Sequence, residues 1–131
     1  VGFTKDTVLV KEGGFKWNEI LHDYEYEWIT NIVGEEVASI IPVPNGYTTW
    51  FQFSEESDYA MLVSPMNDTI TEDLNNYKNQ LLDAGFTIST DKGTNGGNLA
   101  QLNSNINGKD EVVFVEYLEY EGFFTILIYL A

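Results

Sequence analysis

Residues 111–130 read EVVFVEYLEYEGFFTILIYL, and this stretch decides the fold. Two runs rich in β-branched and aromatic residues, 111–121 and 123–130, meet at Glu121-Gly122, a pair suited to a tight reversal. The predicted hairpin sets Val113, Val115 and Tyr117 beside Leu130, Ile128 and Ile126. That face is apolar throughout and is assigned to the core. The opposite face carries Phe114, Leu118, Tyr120, Phe123, Leu127 and Tyr129 around Glu116. An antiparallel sheet with one wet face alternates apolar and polar positions, and this hairpin does not. The second face therefore needs a cover or a ligand. The expected order is the 17–41 segment first, another subunit second and a ligand third, because Trp17, Leu21, Tyr24 and Trp28 supply a matching apolar stripe. These seven residues are the candidate binding or covered face.

Working back from the hairpin, residues 105–110 form a turn and 99–104 a weaker strand. Residues 91–98 (DKGTNGGN) are too rich in Gly and Asn for anything but a loop. Residues 86–90 (FTIST) alternate as a strand. Before them lies the clearest helix, about 71–84. Ile70, Leu74, Tyr77, Leu81 and Ala84 step by four, three, four and three, which makes one apolar stripe. Thr69 or Thr71 can cap it, with Glu72 three residues after Thr69 in capping-box spacing. Gly85 suits a left-handed stop, with Phe86 folding back as the apolar contact. Residues 47–53 (YTTWFQF) and 59–64 (YAMLVS) read as strands around a 54–58 loop, after a Pro42–Pro44 stretch that bars helix.

The first 41 residues carry mixed signals. Thr7 to Val10 looks like a short strand ended by Gly13-Gly14. Across 17–28 two periods compete: the Trp17, Leu21, Tyr24, Trp28 stripe is helical, whereas residues 24–28 (YEYEW) alternate as a half-exposed strand would. Helix is favoured. Val33, Val37, Ile40 and Ile41 suggest a short helix up to Pro42, with Gly34 before or within it.

The order Trp28, Ile41-Pro42-Val43-Pro44, two strands, Tyr77-Lys78, Leu82, Gly85-Phe86 and closing strands resembles a group of small secreted proteins and lipoproteins of Gram-positive, often gut-dwelling, bacteria. The resemblance covers about residues 28–131. It implies the same kind of small exported domain and carries over no catalytic or binding residue.

Composition narrows the function more by exclusion. The chain has 131 residues, one histidine (His22), no cysteine, and six Lys plus Arg against 21 Asp plus Glu, for a formal charge of −15. Most chemistry at neutral pH recruits His, Cys or a cation. The charge repels nucleic acid and anionic membranes, and no apolar run reaches the ~20 residues of a spanning helix. An apolar fraction of 44% argues for a packed core despite the charge. The chain opens at Val1 without an initiator Met, so a signal segment is expected upstream, with an extracellular or cell-envelope location.

Each candidate for chemistry has a plainer reading. Paired carboxylates could run glycoside hydrolysis: Glu116 with Glu119 or Glu121, or Asp23, Glu25 and Glu27. With 21 acids in the chain, close pairs are inevitable on a solvated face. Glu116 sits among apolar neighbours; buried, it would need a donor, and an edge position or a bond to Tyr or Lys is the plainer account. Residues 91–98 echo a calcium loop, but position three is Gly and position twelve is Leu102, so the cage is incomplete. The strand aromatics Trp50, Phe51, Phe53, Tyr59, Tyr117, Tyr120, Phe123, Phe124 and Tyr129 are expected to be mostly core, with a subset on one face as a possible binding surface.

The expected architecture is α+β: one domain over 1–131, an antiparallel sheet of five or six strands, and the 71–84 helix packed on one face. A partly helical segment, 1–41, packs on the sheet, and 42–131 forms a β-β-α-β-β-β core. The expected function is a non-catalytic extracytoplasmic binding or structural module without cofactor or metal, whose partner is a protein or glycan and not nucleic acid. The other reading is an acidic inhibitor or immunity-type protein steered to a basic partner.

Overall fold

The computed structural model describes residues 15–53 and 58–131. It is an α+β fold built on one six-stranded antiparallel sheet. The elements in chain order are α1 (Trp17–Ile20), α2 (Asp23–Val33), α3 (Glu35–Ile40), β1 (Phe51–Gln52), β2 (Tyr59–Pro65), α4 (Ile70–Asp83), β3 (Thr87–Ile88), β4 (Asn98–Ile106), β5 (Lys109–Tyr120) and β6 (Phe123–Leu130). The strand order is β1-β2-β6-β5-β4-β3. The strand read at 86–90 shortens to 87–88 and pairs with β4 at the sheet edge, so four strands follow α4 where the β-β-α-β-β-β outline has three. The expected 7–10 strand lies outside the described residues.

The β5–β6 hairpin turns at Glu121-Gly122, with φ of 49° and 86°, and β4–β5 turns at Asn107-Gly108, with φ of 53° and 87°. Both central residues are left-handed in each turn, the geometry that matches strand twist. Val113 pairs with Leu130, Val115 with Ile128 and Tyr117 with Ile126. β6 is then closed on its other edge by β2, where Ala60 pairs with Ile128 and Leu62 with Ile126. These residues form the first face, and all but Leu130 are essentially inaccessible.

Helix α4 lies on that face through Tyr77 and Leu81, both fully buried, with Ile70, Leu74 and Ala84 packed beside them. Its end follows the expected stop: Gly85 has φ 100°, its N–H reaches Leu82 O at 3.1 Å, and Phe86 N–H reaches Leu81 O at 3.0 Å. Its start differs from the expected capping box. The Thr69 hydroxyl donates to the Asp73 carboxylate at 2.9 Å and Glu72 plays no part in that bond. Asp73 also accepts the Tyr47 hydroxyl at 3.0 Å. Tyr77 OH donates to Pro42 O at 2.8 Å and Gln80 Nε2 to Val43 O at 2.9 Å, which ties the proline stretch to the helix.

Helix rather than strand forms over 17–33, but it is broken at Leu21-His22. The Glu25 carboxylate accepts the His22 N–H at 2.8 Å and starts α2 afresh. The break rotates the stripe: Trp17 and Leu21 are buried, Trp28 is half-buried, and Tyr24 is 71% exposed. Trp17, Ile29, Val33, Val37 and Ile41 join the same core as Val113, Val115 and Phe124. The 17–41 segment therefore covers the first face alongside α4 and not the second, correcting the expectation. Phe124 is the hub: its ring lies 4.8 Å from Tyr47, 5.8 Å from Trp50 and 5.9 Å from Tyr77, with Trp17 edge-on to Trp50 at 5.0 Å. This cluster shortens the expected 47–53 strand to Phe51–Gln52. Tyr47 and Trp50 turn inward, Trp50 Nε1 donates to Tyr47 O at 3.2 Å, and the segment leaves the ladder.

Candidate functional site

Cross-strand pairing brings all seven candidate residues to the second face: Phe114 opposite Tyr129, Glu116 opposite Leu127, Leu118 opposite Thr125 and Tyr120 opposite Phe123. The register of β2 adds Tyr59 beside Tyr129, Met61 beside Leu127 and Val63 beside Thr125. The face is thus laid out in rows across the strands. One row is Tyr59, Tyr129 and Phe114, with the last two rings 5.5 Å apart. The next is Met61, Leu127, Glu116 and Leu99.

Glu116 is fully buried at the centre of this face. A charge there needs donors, since desolvation without them costs several kcal/mol. The 91–98 loop supplies them. Asn95 N–H and Gly97 N–H both donate to Oε2 at 3.0 Å. Asn95 Nδ2 donates to Oε1 at 3.4 Å and Tyr129 OH to the same oxygen at 3.0 Å. The two backbone donors form a small anion-holding concavity. The loop closes on itself through Gly93 N–H to Gly97 O and Gly96 N–H to Gly93 O, each 2.9 Å. Its glycines answer to two constraints. A Cβ at Gly93 would fall 2.2 Å from Glu116 Cδ and one at Gly97 2.8 Å from Cγ, so space excludes it; Gly96 has φ 78°. A loop that echoed a calcium site is instead wrapped around a carboxylate of its own chain, and no group of three or more acids, histidines or cysteines gathers among the described residues.

The remaining carboxylates do not pair with Glu116. Glu119 sits exposed on the other side of β5 and Glu121 in the turn. Glu25 is engaged as a helix start, and Asp23 and Glu27 are exposed. His22 is exposed and stacks on Tyr24 at 5.6 Å.

Beside the carboxylate, an open groove of about 700 Å³ runs along the first row. Tyr59 and Met61 of β2 and Leu127 and Tyr129 of β6 line it. Thr94 and Asn95 of the 91–98 loop, Asn31 and Ile32 at the end of α2, Leu130 and Asp58 also line it. Trp28 Nε1 fixes α2 to this edge by donating to Tyr59 O at 2.9 Å. Burial pushes the Tyr129 phenol above its usual value of 10.0, the adjacent Glu116 carboxylate adds to the rise, and donors of Thr94 oppose it.

The strand aromatics divide differently from the expectation that most of them are core. Trp50, Tyr117 and Phe124 are core, and Tyr59 and Tyr129 are half-buried. Phe51, Phe53, Tyr120 and Phe123 are 48%, 54%, 58% and 41% exposed. All four lie on the second face. Phe51 pairs with Val63, and Phe53, whose N–H bonds Met61 O, has its ring 6.2 Å from that of Phe51. Among the described residues no helix is long and apolar enough to cross a membrane.

Sequence reasoning named Tyr59 only among the strand aromatics and Thr94 and Asn95 only within a calcium-like loop, and it missed Met61. The alternation of YAMLVS placed Tyr59 and Met61 on one side of a strand, but not which face of the sheet that side joins. Comparison with protein-family models, curated proteins and solved structures finds no match to this chain.

Proposed function

We propose that this protein is a non-catalytic, extracytoplasmic binding module whose ligand lies on the second face of the sheet. The observation that carries this reading is the make-up of the second face as a whole. Four exposed aromatic side chains share one face with an open cavity of about 700 Å³, a size common to ligand sites. Leaving large apolar rings in water on a strand-paired face is unfavourable by roughly 25 cal/mol per Å², and a bound partner removes that cost. The fully buried carboxylate of Glu116 is already bonded to four neutral donors from Asn95, Gly97 and Tyr129, and none of the other described carboxylates bonds to it. A general acid–base pair is therefore not assembled around it.

The test is amide chemical-shift mapping of the whole chain against a panel of short oligosaccharides and short peptides. Ligands are expected to move the signals of Tyr59, Asn95 and Tyr129, to come back chemically unchanged, and to lose affinity in a Phe51→Ser, Phe123→Ser double variant. Shifts confined to the helical side, or turnover of any panel member, would overturn the reading.

A further inference from the structure

The groove's electrostatics identify the chemistry of its occupant. Tyr59 and Tyr129 are paired across the β2–β6 ladder, so both side chains stand on the same face, and both line the groove. Asp58 lines the groove and is exposed, while Glu116 accepts the Tyr129 hydroxyl at 3.0 Å. Neither Lys, Arg nor His occurs among the described residues that line it. The six cations of the chain are all lysines, against 21 acids. A surface of this sign concentrates cations at its clefts. A ring face carries negative charge and attracts an ammonium or a guanidinium. A neutral sugar would gain nothing from the net charge, and a phosphate or carboxylate ligand would be repelled by it and by Asp58.

We propose that the groove binds an arginine or lysine side chain of a basic polypeptide, laid against Tyr59 and Tyr129 with Asp58 as its counter-ion. This rests on the binding-module reading and names its partner class. The donors and acceptors of Asn31, Thr94 and Asn95 then face the polypeptide on either side of the cation. The volume exceeds that of one side chain, leaving room for the flanking backbone.

The probe is acetyl-Gly-Arg-Gly-amide at physiological ionic strength, with acetyl-Gly-Gln-Gly-amide as its neutral match, followed by amide chemical shifts. The arginine peptide should give saturable shifts at Tyr59, Asn95 and Tyr129, and the glutamine peptide should bind at least about fivefold more weakly. Asp58→Asn should weaken the arginine peptide about fivefold. Asp83→Asn, which removes the same charge from an exposed position at the end of α4, should change it less than twofold. Equal losses in the two variants would overturn the proposal in favour of diffuse attraction by net charge. Equal binding of the two peptides, or a neutral oligosaccharide seated in the groove in preference to the arginine peptide, would overturn the cation while leaving a binding module in place. Absence of any second-face shift across the whole panel would overturn both.

Discussion

Val115 and Glu116 are consecutive, equally buried, and on opposite sides of one strand. Val115 is held by shape. It pairs with Ile128 and Ala100 and lies in a core of aliphatic and aromatic side chains that any close-packed neighbour can complete. Glu116 is held by direction: two backbone N–H groups, an amide and a phenol must all point at two oxygens. The first face is closed by helices that present periodic apolar stripes. The second is closed over Glu116 by a loop with almost no hydrophobic content, and beyond that loop it stays open. Burial by packing tolerates variation, whereas burial of a carboxylate demands donors at fixed places. Gly93 and Gly97 admit no side chain because it would occupy the carboxylate's space.

The contrast is broken most severely at Phe124. It contacts Tyr47, Trp50 and Tyr77 and is fully buried, so Phe124→Ala should lower unfolding free energy by about 3–5 kcal/mol, measured by urea denaturation. The second face gives way at Glu116. Glu116→Ala leaves the Tyr129 hydroxyl and the N–H groups of Asn95 and Gly97 without their acceptor, a loss of about 3 kcal/mol. Gly93→Ala should cost about 1–3 kcal/mol through overpacking alone, since its backbone is not left-handed. Hydrogen exchange should then rise at Asn95–Gly97 in both variants while the β5–β6 ladder keeps its protection. Uniform loss of protection would remove the distinction between the two kinds of burial.

Alkaline pH sharpens the comparison, because each face carries a tyrosine with a raised pKa. Tyr77 lies well above 10.0 through burial first and the neighbouring Tyr117 second. Tyr129 is raised by burial first and then by Glu116. In both, the folded state holds the proton more tightly than the unfolded chain. Stability is therefore fully present below about pH 10 and declines as pH rises through the folded-state values. Denaturation midpoints should be level near pH 8 and fall above pH 10, and Tyr77→Phe should flatten that fall. A midpoint that does not move up to pH 11 contradicts the assignment. The smallest effect belongs to Phe123, adjacent to Phe124 in sequence but 41% exposed on the second face. Phe123→Ser should stay within about 0.5 kcal/mol of the parent stability, and its consequence should appear in ligand binding instead.

The β5–β6 hairpin, its turn and α4 with its glycine stop were legible because each is governed by local rules. Alternation fixes a strand's two sides, a left-handed pair fixes a reversal, and an i, i+3, i+4 stripe fixes a helix face. The same local rules put Phe114, Glu116, Leu118, Tyr120, Phe123, Leu127 and Tyr129 on one side of one hairpin. They misled at residues 17–28, where a continuous stripe ignored the break at Leu21-His22, and at 47–53, where strand-forming residues were drawn into the aromatic core instead.

Sequence alone thus determined the class of the fold, the hairpin register and the side on which Glu116 stands, since these depend on residues within one or two elements. Tertiary structure decided what covers each side. The pairing of β2 with β6 joins residues 58 to 70 positions apart and sets Tyr59 beside Tyr129. The descent of the 91–98 loop onto Glu116 spans about 20 positions and turns an apparent flexible connection into a carboxylate's hydrogen-bond shell. Neither contact leaves a periodic trace in the chain, because its energy depends on where separate elements meet and not on the spacing of residues along either one.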